Sequence, residues 1–544
     1  MALSEKYWRF LLIFLLTLWV TAHLPGLFYG TDRVPLHISY IGDEQSPING
    51  ALHILKDKSF LALRDLPTVY YGPLFSIIAL PAVIADFSVK YIAGIVSNTN
   101  DYRNFIIWDW GGIIVYSRLI AVVVGYLGLW GFSRFLSTHL VNPSGNKILP
   151  WLGTIFLAGN FFYFEYSGFF KHWVFLIAIL AWQLYALVRI MEKPDERGPW
   201  ILMGVLTILG FGISYIAILF QVMLLPTVFA FISQKNKEAL RCLFWYVAVV
   251  SIAAALIVFW HPHAFLRSFG LTQAYLTGGE TGAFTSETKA TGTSFLYYFS
   301  IILNNELGLA LAWIFLLFIS FVRLGRIRDH LTWGLVLLVM TSVVFFGYIA
   351  HHESRYALPL IFFLIAGTFA MFLREYGLIL SQPIFRIAIS TALLFTFTFN
   401  VIAIGKWTSI ISKGPPEKQA IAEMIDWQKN NPDKKTIVLA YYLFGHVHTK
   451  ETYADYAKRF GKEKYNLYQA IMTTPLPAGV TALNAYYHRP DEPFNRGELN
   501  KYARLVYRYE PKLVENLDHD FMEVDLTRLW FYKDFSDKYS FLKQ

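Results

Sequence analysis

Two adjacent carboxylates with the potential for acid–base chemistry, Asp43 and Glu44, lie in the segment 42–47 of an early polar loop. Ser46 can cap a helix, and Pro47 suits a first helical position. One face of the following helix carries Ile48, Ala51, Leu52 and Leu55. Such a helix lies in a membrane interface and holds the carboxylates at its surface. A carboxylate there can take the proton of an attacking hydroxyl opposite a leaving phosphate; the alternative is a solvated acidic turn.

A second polar group stands between two apolar runs and contains Glu165, Tyr166, Lys171, His172 and Trp173. A carboxylate and a cation on one short loop can bind sugar hydroxyls and phosphate. The alternative is that both side chains merely reach from a helix end into the interface.

The third group comprises residues 351–355, where His351, His352, Glu353 and Arg355 separate two apolar runs. Polar residues in that position are costly unless they serve a function. The guanidinium of Arg355 suits a bidentate contact with phosphate. The histidines and the glutamate also suggest a metal site, but adjacent side chains on a helix point ~100° apart, which disfavours a shared ion. We therefore expect no cofactor, and a divalent cation has no support.

Three further positions have two interpretations each. Arg118 opens an apolar run and either binds lipid phosphate or anchors its helix. Tyr71, in the sequence Tyr-Gly-Pro-Leu of residues 71–74, either faces a site or is an interfacial aromatic anchor. The polar residues 304–306 either line a cavity or interrupt a span without a role in binding.

The elements that must position these residues are membrane helices. Of the 544 residues, 55% are hydrophobic and only 16% are charged, whereas soluble proteins have about 25% charged residues. A span needs ~20 apolar residues. Runs without Asp, Glu, Lys or Arg cover 10–31, 66–85, 119–133, 148–164, 172–188, 198–234, 242–266, 307–322, 356–373 and 387–405, and 329–352 is broken only by Asp329. We predict a polytopic α-helical membrane protein with about 11–13 transmembrane helices.

Two of these runs differ from a simple single span. Residues 10–31 lack a good cleavage site and are interpreted as an uncleaved first helix. The 198–234 run would be ~55 Å long as one helix, so we expect it to cross twice, with a turn near Gly210, Gly212 and Ser214.

Basic residues of the connectors set the orientation. With the N-terminus in the cytoplasm, the inside connectors carry Arg134 and Lys147; Arg189, Lys193 and Arg197; Lys235, Lys237 and Arg241; Arg323, Arg326 and Arg328; and Arg374. This satisfies the positive-inside rule and accounts for the net charge of +9 without a nucleic-acid partner. It requires that 66–96 does not cross and that 29–111 forms a large outer loop with interface helices. The short inside loops leave no room for a nucleotide-sugar domain, which needs at least ~50 residues, so a sugar donor has to be membrane-embedded.

The chain divides into a transmembrane domain, 1–405, and a charged tail, 406–544. A helix is predicted over 417–430 and a buried strand over Thr436–Leu443. We expect a small soluble α/β domain on the outer side of a bacterial inner or archaeal plasma membrane.

In this order, the segments resemble the GT-C superfamily of integral membrane glycosyltransferases, most closely the protein O-mannosyltransferases and the lipid A aminoarabinose transferases. The matching segments are Asp43-Glu44, Tyr71-Gly72-Pro73-Leu74, Ser117-Arg118-Leu119, residues 149–172, His351–Arg355 and the tail segment Ala422–Ala440. There are two departures: the second outer loop lacks the expected Asp, so Glu165 or His172 would replace it, and the lysine before the double proline is missing.

The resemblance implies an inverting transfer of a hexosyl or pentosyl group from a polyprenyl phosphate to a hydroxyl of a protein, lipid or glycan. Asp43 would be the base and Glu44 would assist or position it. The leaving phosphate would be neutralised by Arg118, Lys171, Arg355 and His351 or His352. A transporter or flippase for a lipid-linked sugar, and an oligosaccharide ligase or polymerase, stay open as alternatives.

Overall fold

The computed structural model describes residues 14–15, 17–29, 31, 44–64, 71–108, 110–146, 148–263, 265–266, 295–323, 325, 329–348, 356–412, 435–440, 480–486 and 508–513. Its α-helices are α1 (Leu24–Phe28), α2 (Gln45–Asp57), α3 (Pro73–Ile92), α4 (Thr99–Trp108), α5 (Gly111–Leu136), α6 (Leu149–Ala158), α7 (Phe161–Ser167), α8 (His172–Glu192), α9 (Arg197–Ile213), α10 (Leu225–Ser233), α11 (Lys237–Trp260), α12 (Phe295–Asn305), α13 (Leu307–Phe318), α14 (His330–Tyr348), α15 (Ala357–Arg374), α16 (Tyr376–Ser381) and α17 (Pro383–Ser412). The 3-10 segments are Phe60–Leu63 and Tyr215–Leu224, and a π-helical turn covers Ile319–Arg323.

Many of these helices are apolar enough to cross a membrane. Within the described ranges, eight helical segments are long and apolar enough to cross a membrane: Pro73–Ile92, Gly111–Leu136, His172–Glu192, Tyr215–Ser233, Lys237–Trp260, His330–Gly347, Ala357–Arg374 and Pro383–Ser409. A pair bent by 102°, Tyr298–Asn305 with Leu307–Phe321, could supply a ninth. The chain is thus a multi-pass α-helical membrane protein, as predicted, while the number of 11–13 spans stays a prediction.

Helices α5 and α8 run parallel to each other. Gly128 lies against Ala178, and one turn further along both helices Gly131 lies against Trp182. A Cβ at Gly128 would lie within 3 Å of the Tyr163 hydroxyl, and a Cβ at Gly131 would lie within 3 Å of the Trp182 ring. Both positions therefore need glycine. The two helices therefore begin at the same end of the bundle.

Helix α9 runs antiparallel to α8. Gln183 Nε2 donates to Thr207 Oγ1 at 3.1 Å, and the earlier Ile179 lies against the later Gly210. The end at which α5 and α8 begin is therefore also the end at which α9 finishes. We call it the site end and the opposite end the connector end.

Helix α3 lies across the site end. Its N-terminal Gly72 amide donates to the carbonyl of Ile213, the last residue of α9, at 3.0 Å, and Asp86 lies against Gly112, at the start of α5. Both parts of α3 thus contact helix termini at one end of the bundle. Because α3 is also long and apolar enough to span, the expectation that 66–96 does not cross stays a prediction.

Helices α3 and α4 are joined by a buried carboxylate. Asp86 accepts from Lys90 Nζ at 2.6 Å and from Tyr102 Oη at 2.8 Å. Burial, together with the neighbouring carboxylate, raises the pKa of Tyr102, so its hydroxyl stays protonated and able to donate. Helix α4 is thereby fixed to α3.

The long 198–234 run breaks where the sequence predicts. Helix α9 ends at Ile213, Ser214 adopts an extended conformation with φ −151° and ψ 126°, and a 3-10 helix starts at Tyr215. The predicted change of direction in this run is confirmed.

At the connector end, charged side chains join neighbouring elements. Arg374 Nη1 donates to Asp329 Oδ2 at 2.6 Å, which joins the end of α15 to the start of α14. Glu192 Oε1 accepts from the amide of Leu140 at 2.9 Å. The predicted inside connectors therefore contact one another.

Three strands are described in the tail: β1 (Lys435–Ala440), β2 (Val480–Tyr486) and β3 (Arg508–Leu513). Strand β1 pairs with β2 in parallel and β2 pairs with β3 antiparallel. The predicted strand over Thr436–Leu443 is confirmed as far as Ala440. The predicted helix 417–430 lies outside the described residues, and α17 continues to Ser412, past the expected boundary at 405. The α/β class of the tail stays a prediction.

Candidate active site

The centre of the site end is a fully buried ion pair between Glu44 and Arg118. Arg118 Nε donates to Glu44 Oε1 at 2.9 Å, and Nη2 donates to Oε2 at 2.8 Å. Both side chains have 0% relative exposure. This bidentate arrangement matches the planar fork of a guanidinium to a carboxylate.

The same pair fixes two other segments. Arg118 Nη1 donates to the carbonyl oxygens of Gly26 at 2.9 Å and Tyr29 at 2.5 Å, at the end of α1. Glu44 Oε1 also accepts from the amide of Phe170 at 2.9 Å. One ion pair thus joins the end of α1, the start of α2, helix α5 and the loop between α7 and α8. We call these contacts the Glu44–Arg118 clamp.

The start of α2 differs from the sequence prediction. The helix begins at Gln45 with Glu44 as its N-cap, so Ser46 does not cap it and Pro47 is not its first residue. No side-chain bond caps the helix in this structure, because the Glu44 carboxylate is turned to Arg118. The buried face contains Ile48, Ala51 and Ile54, while Leu55 is exposed.

Arg118 also differs from its predicted place. Helix α5 begins at Gly111, so Arg118 lies two turns inside it and does not open the span. Its donors point at Glu44 and at backbone carbonyls. This geometry favours the anchoring interpretation over the phosphate-binding one.

The second predicted group is buried at the junction of α7 and α8. Glu165 and Lys171 have relative exposures of only 4% and 0%, so neither reaches into an interface. Lys171 Nζ lies 5.9 Å from the centre of the Tyr166 ring. Glu165 lines a cavity of about 10 Å³ together with His23 and Trp407, which is room for about one water molecule.

A continuous set of aromatic contacts links this junction to two other predicted segments. The ring of His172 lies 4.4 Å from that of Tyr71 and 4.4 Å from that of Trp173. Trp173 in turn lies 5.5 Å from Tyr356, and Tyr71 lies 5.7 Å from Phe75. The structure thereby brings Tyr71, the junction residues and Tyr356 together.

Five predicted site residues lie outside the described residues: Asp43, His351, His352, Glu353 and Arg355. The described residues that flank them in the chain are Glu44, in the clamp, and Tyr348 and Tyr356, of which Tyr356 belongs to the aromatic set. Glu44, Arg118, Tyr71, Glu165, Lys171 and His172 all lie at the site end.

No family model matches the chain, and no curated protein matches it. Among solved structures, the chain is similar to the crystal structure of ArnT from Cupriavidus metallidurans bound to undecaprenyl phosphate, with 15% identity over 73% of this chain and 71% of that chain and a TM-score of 0.42. It is also similar to ArnT from the same organism in the apo state, with 13% identity, 73% and 72% coverage and a TM-score of 0.41. At this distance, the function has to be argued from the residues of the chain itself.

Another buried carboxylate, Glu306, has hydrogen-bond partners that the sequence does not indicate. Glu306 has 0% exposure and lies at the break between α12 and α13. Its Oε1 accepts from Asn160 Nδ2 at 2.9 Å and from Asn400 Nδ2 at 3.2 Å. Asn400 Oδ1 also accepts from the amide of Phe161 at 2.8 Å. Asn160 and Asn400 each lie inside a run without charged residues, and such buried polar positions are the sequence signal that could have indicated this network.

Among the described residues, no three His, Cys, Asp or Glu side chains are placed to hold one metal ion. The site end instead combines a buried cation, Lys171, a buried carboxylate, Glu165, and an aromatic wall.

Proposed function

We propose that the chain is an inverting glycosyltransferase that moves a sugar from a polyprenyl phosphate to a hydroxyl acceptor on the outer face of the membrane. The observation that carries the proposal is that four predicted polar segments, far apart in sequence, contact one another at one end of the bundle. Glu44 bonds to Arg118 and to the Phe170 amide, and His172 lies against Tyr71.

In this proposal, Asp43 removes the proton of the acceptor hydroxyl while the sugar–phosphate bond breaks. Glu44 is held rigidly by the clamp, and consecutive Cα atoms are about 3.8 Å apart. The clamp therefore limits the positions open to the preceding residue, as preorganised catalysis requires. Asp43 as base and Glu44 as its positioning residue are consistent with this arrangement.

The leaving polyprenyl phosphate needs cations in a site that excludes water. Lys171, buried beside Tyr166, fits this role. Arg355, with His351 or His352, would add positive charge, and this segment precedes Tyr356, which contacts Trp173. Glu353 of the same segment would contact the substrate. Glu165, His172 and Tyr71 would bind sugar hydroxyls. Because Arg118 is engaged with Glu44, we assign it to positioning.

The proposal includes an N-terminus in the cytoplasm and the tail, 406–544, outside as an acceptor-binding or capping α/β domain. The clustering of the candidate site residues at the end opposite the basic connectors supports this orientation.

The test measures release of free polyprenyl phosphate from a panel of polyprenyl-phosphate-linked sugars by the purified protein. We expect Asp43→Asn to fold normally and to lose at least ~100-fold in rate, the usual contribution of a general base. Asp57→Asn is the matched control, since Asp57 is exposed at the opposite end of α2. Turnover near that of the wild type in Asp43→Asn would eliminate the assignment.

A transporter for a lipid-linked sugar is the second candidate, and the 102° break beside the buried Glu306 favours it, because transporters often use broken helices with ionisable groups. Movement of the intact lipid-linked sugar across proteoliposome membranes, without release of polyprenyl phosphate from any donor, would establish this second function.

A further inference from the structure

A groove at the connector end lies far from the candidate active site. It runs between α9 and α11, has a volume of about 430 Å³, and has an apolar lining that includes Trp200, Ile201, Val205, Trp245 and Val249. We call it the α9–α11 groove. Trp200 is buried and its ring lies 6.0 Å from that of Tyr246, which forms the inner wall.

The outer wall of the groove is open. Ile201, Val205, Trp245 and Val249 have relative exposures between 49% and 64%. Helix α11 is one of the segments long and apolar enough to span, and α9 packs beside it. In a bilayer, this side therefore opens onto lipid acyl chains.

The mouth of the groove carries charges of both signs. Asp195, Arg197, Glu238 and Arg241 line it, and all four are exposed. Within the described part of the chain, no ion pair joins any two of them. Two acidic and two basic groups at one opening suit a ligand that itself carries both charges.

We propose that the α9–α11 groove binds a phospholipid whose headgroup has both a phosphate and a primary ammonium, as in phosphatidylethanolamine. Arg197 and Arg241 bind the phosphate, and Asp195 and Glu238 accept the ammonium N–H groups. An acyl chain lies along the apolar lining. Helix α9 is ~25 Å long, so the bound lipid lies in the leaflet at the connector end, away from the candidate active site.

The charges favour this headgroup over two related ones. A headgroup with only a phosphate and hydroxyls, such as that of phosphatidylglycerol, leaves two carboxylates beside a net negative charge. A choline headgroup has a positive charge but no N–H donor for Asp195 or Glu238. Selectivity among these three lipids therefore tests the proposal.

The first measurement is lipid retention by the purified full chain in detergent, by native mass spectrometry, with phosphatidylethanolamine, phosphatidylglycerol and phosphatidylcholine of identical acyl chains. We expect phosphatidylethanolamine to be retained about 3–5-fold more than either, as exposed charge contacts imply. Cys242, the only cysteine of the chain, lines the groove, so phosphatidylethanolamine should also slow its modification by a small thiosulfonate. Equal retention of all three lipids would overturn the proposal.

Two variants distinguish lipid bound in the groove from lipid bound elsewhere on the surface of the protein. Gly204→Leu fills the groove, since a Cβ at Gly204 meets only Tyr246, at an ordinary 3.7 Å; it should abolish retention and protection of Cys242. Gly377→Leu is the control, since a Cβ at Gly377 meets nothing within 4 Å. Unchanged lipid retention in Gly204→Leu would refute the assignment.

A second pair of variants tests the headgroup contacts without changing the groove. Asp195→Asn combined with Glu238→Gln should remove the preference over phosphatidylcholine. Lys193→Gln combined with Glu196→Gln removes a neighbouring exposed pair that does not line the groove, and should leave the preference intact. The same loss of preference in both double variants would show that the effect is not specific to the groove and would refute the proposal.

Discussion

Removing one partner of the Glu44–Arg118 clamp should be far more damaging than removing an ion pair at the surface. Glu44→Met keeps a similar volume but leaves the Arg118 charge uncompensated at 0% exposure. Breaking a buried pair in this way costs about 3–5 kcal/mol. Glu196→Met at the exposed Lys193–Glu196 pair, 3.4 Å apart, is the matched control and should change stability by less than about 1 kcal/mol.

The double variant separates the charge from the hydrogen bonds. With Glu44→Met and Arg118→Met together, no buried charge is left, so much of the stability should return. The Phe170 amide and the carbonyls of Gly26 and Tyr29 lose their partners, however, and a buried unpaired group costs about 1–3 kcal/mol. We therefore expect the double variant to be less stable than the wild type, yet more stable than the sum of the single variants implies by about 2 kcal/mol.

Unfolding in mixed micelles with increasing denaturing detergent, followed by tryptophan fluorescence, gives these differences. Amide hydrogen exchange supplies an independent local measurement, because the Phe170 amide should lose protection in Glu44→Met. The reasoning is refuted if Glu44→Met is within about 1 kcal/mol of the wild type, the range of an exposed pair, or if the single effects simply add.

Three further predictions concern other contacts. Gly72→Ala should destabilise by about 1–3 kcal/mol, because its Cβ would overlap backbone atoms at the end of α9, whereas Gly377→Ala should be neutral in the same unfolding assay. Asn400→Leu removes donors to Glu306 and the acceptor for a buried amide, so it should cost about 2–3 kcal/mol by the same measurement; a wild-type midpoint would exclude a structural role for the network. Burial, and secondarily a nearby lysine, lower the pKa of His53 below 6.5. The unfolded chain therefore binds the proton more readily, and stability falls as pH drops through about 6.5 and below. In His53→Gln, the unfolding midpoint should fall less between about pH 7.5 and about pH 5 than it does in the wild type. An equal fall in both proteins would contradict this.

Much of the helical arrangement follows from the sequence because membrane helices carry strong local signals. A 37-residue apolar run (198–234) is too long for one span, and the glycines and serine near its centre indicate the break found at Ser214. Basic connectors at alternate helix ends predict that 66–96 stays on one side, and the described contacts of α3 are with helix termini at the site end. These inferences use only length, turn residues and charge.

The pairing inside the site could not be obtained in this way. Glu44 and Arg118 are 74 positions apart, and no periodicity indicates that the arginine lies two turns inside a helix and not at its start. The same holds for Glu306, whose partners are 146 and 94 positions away. Local pattern identifies a costly polar residue, but only the packing of several helices determines which other polar group compensates it.

Glu44 and Glu306 are buried carboxylates that each join several segments of the chain. Glu44 is compensated by a full charge, and its ion pair with Arg118 joins four chain segments. Glu306 accepts from two amide side chains and joins α13 to α17 and to the start of α7. A carrier that alternates between two states would have to break such bonds in each cycle, whereas an enzyme that holds a base against a leaving phosphate benefits from keeping them. The 102° break is a feature shared with broken-helix transporters, but the bonds of Glu306 hold this pair to its neighbours, and a fixed arrangement is what the proposed transferase requires.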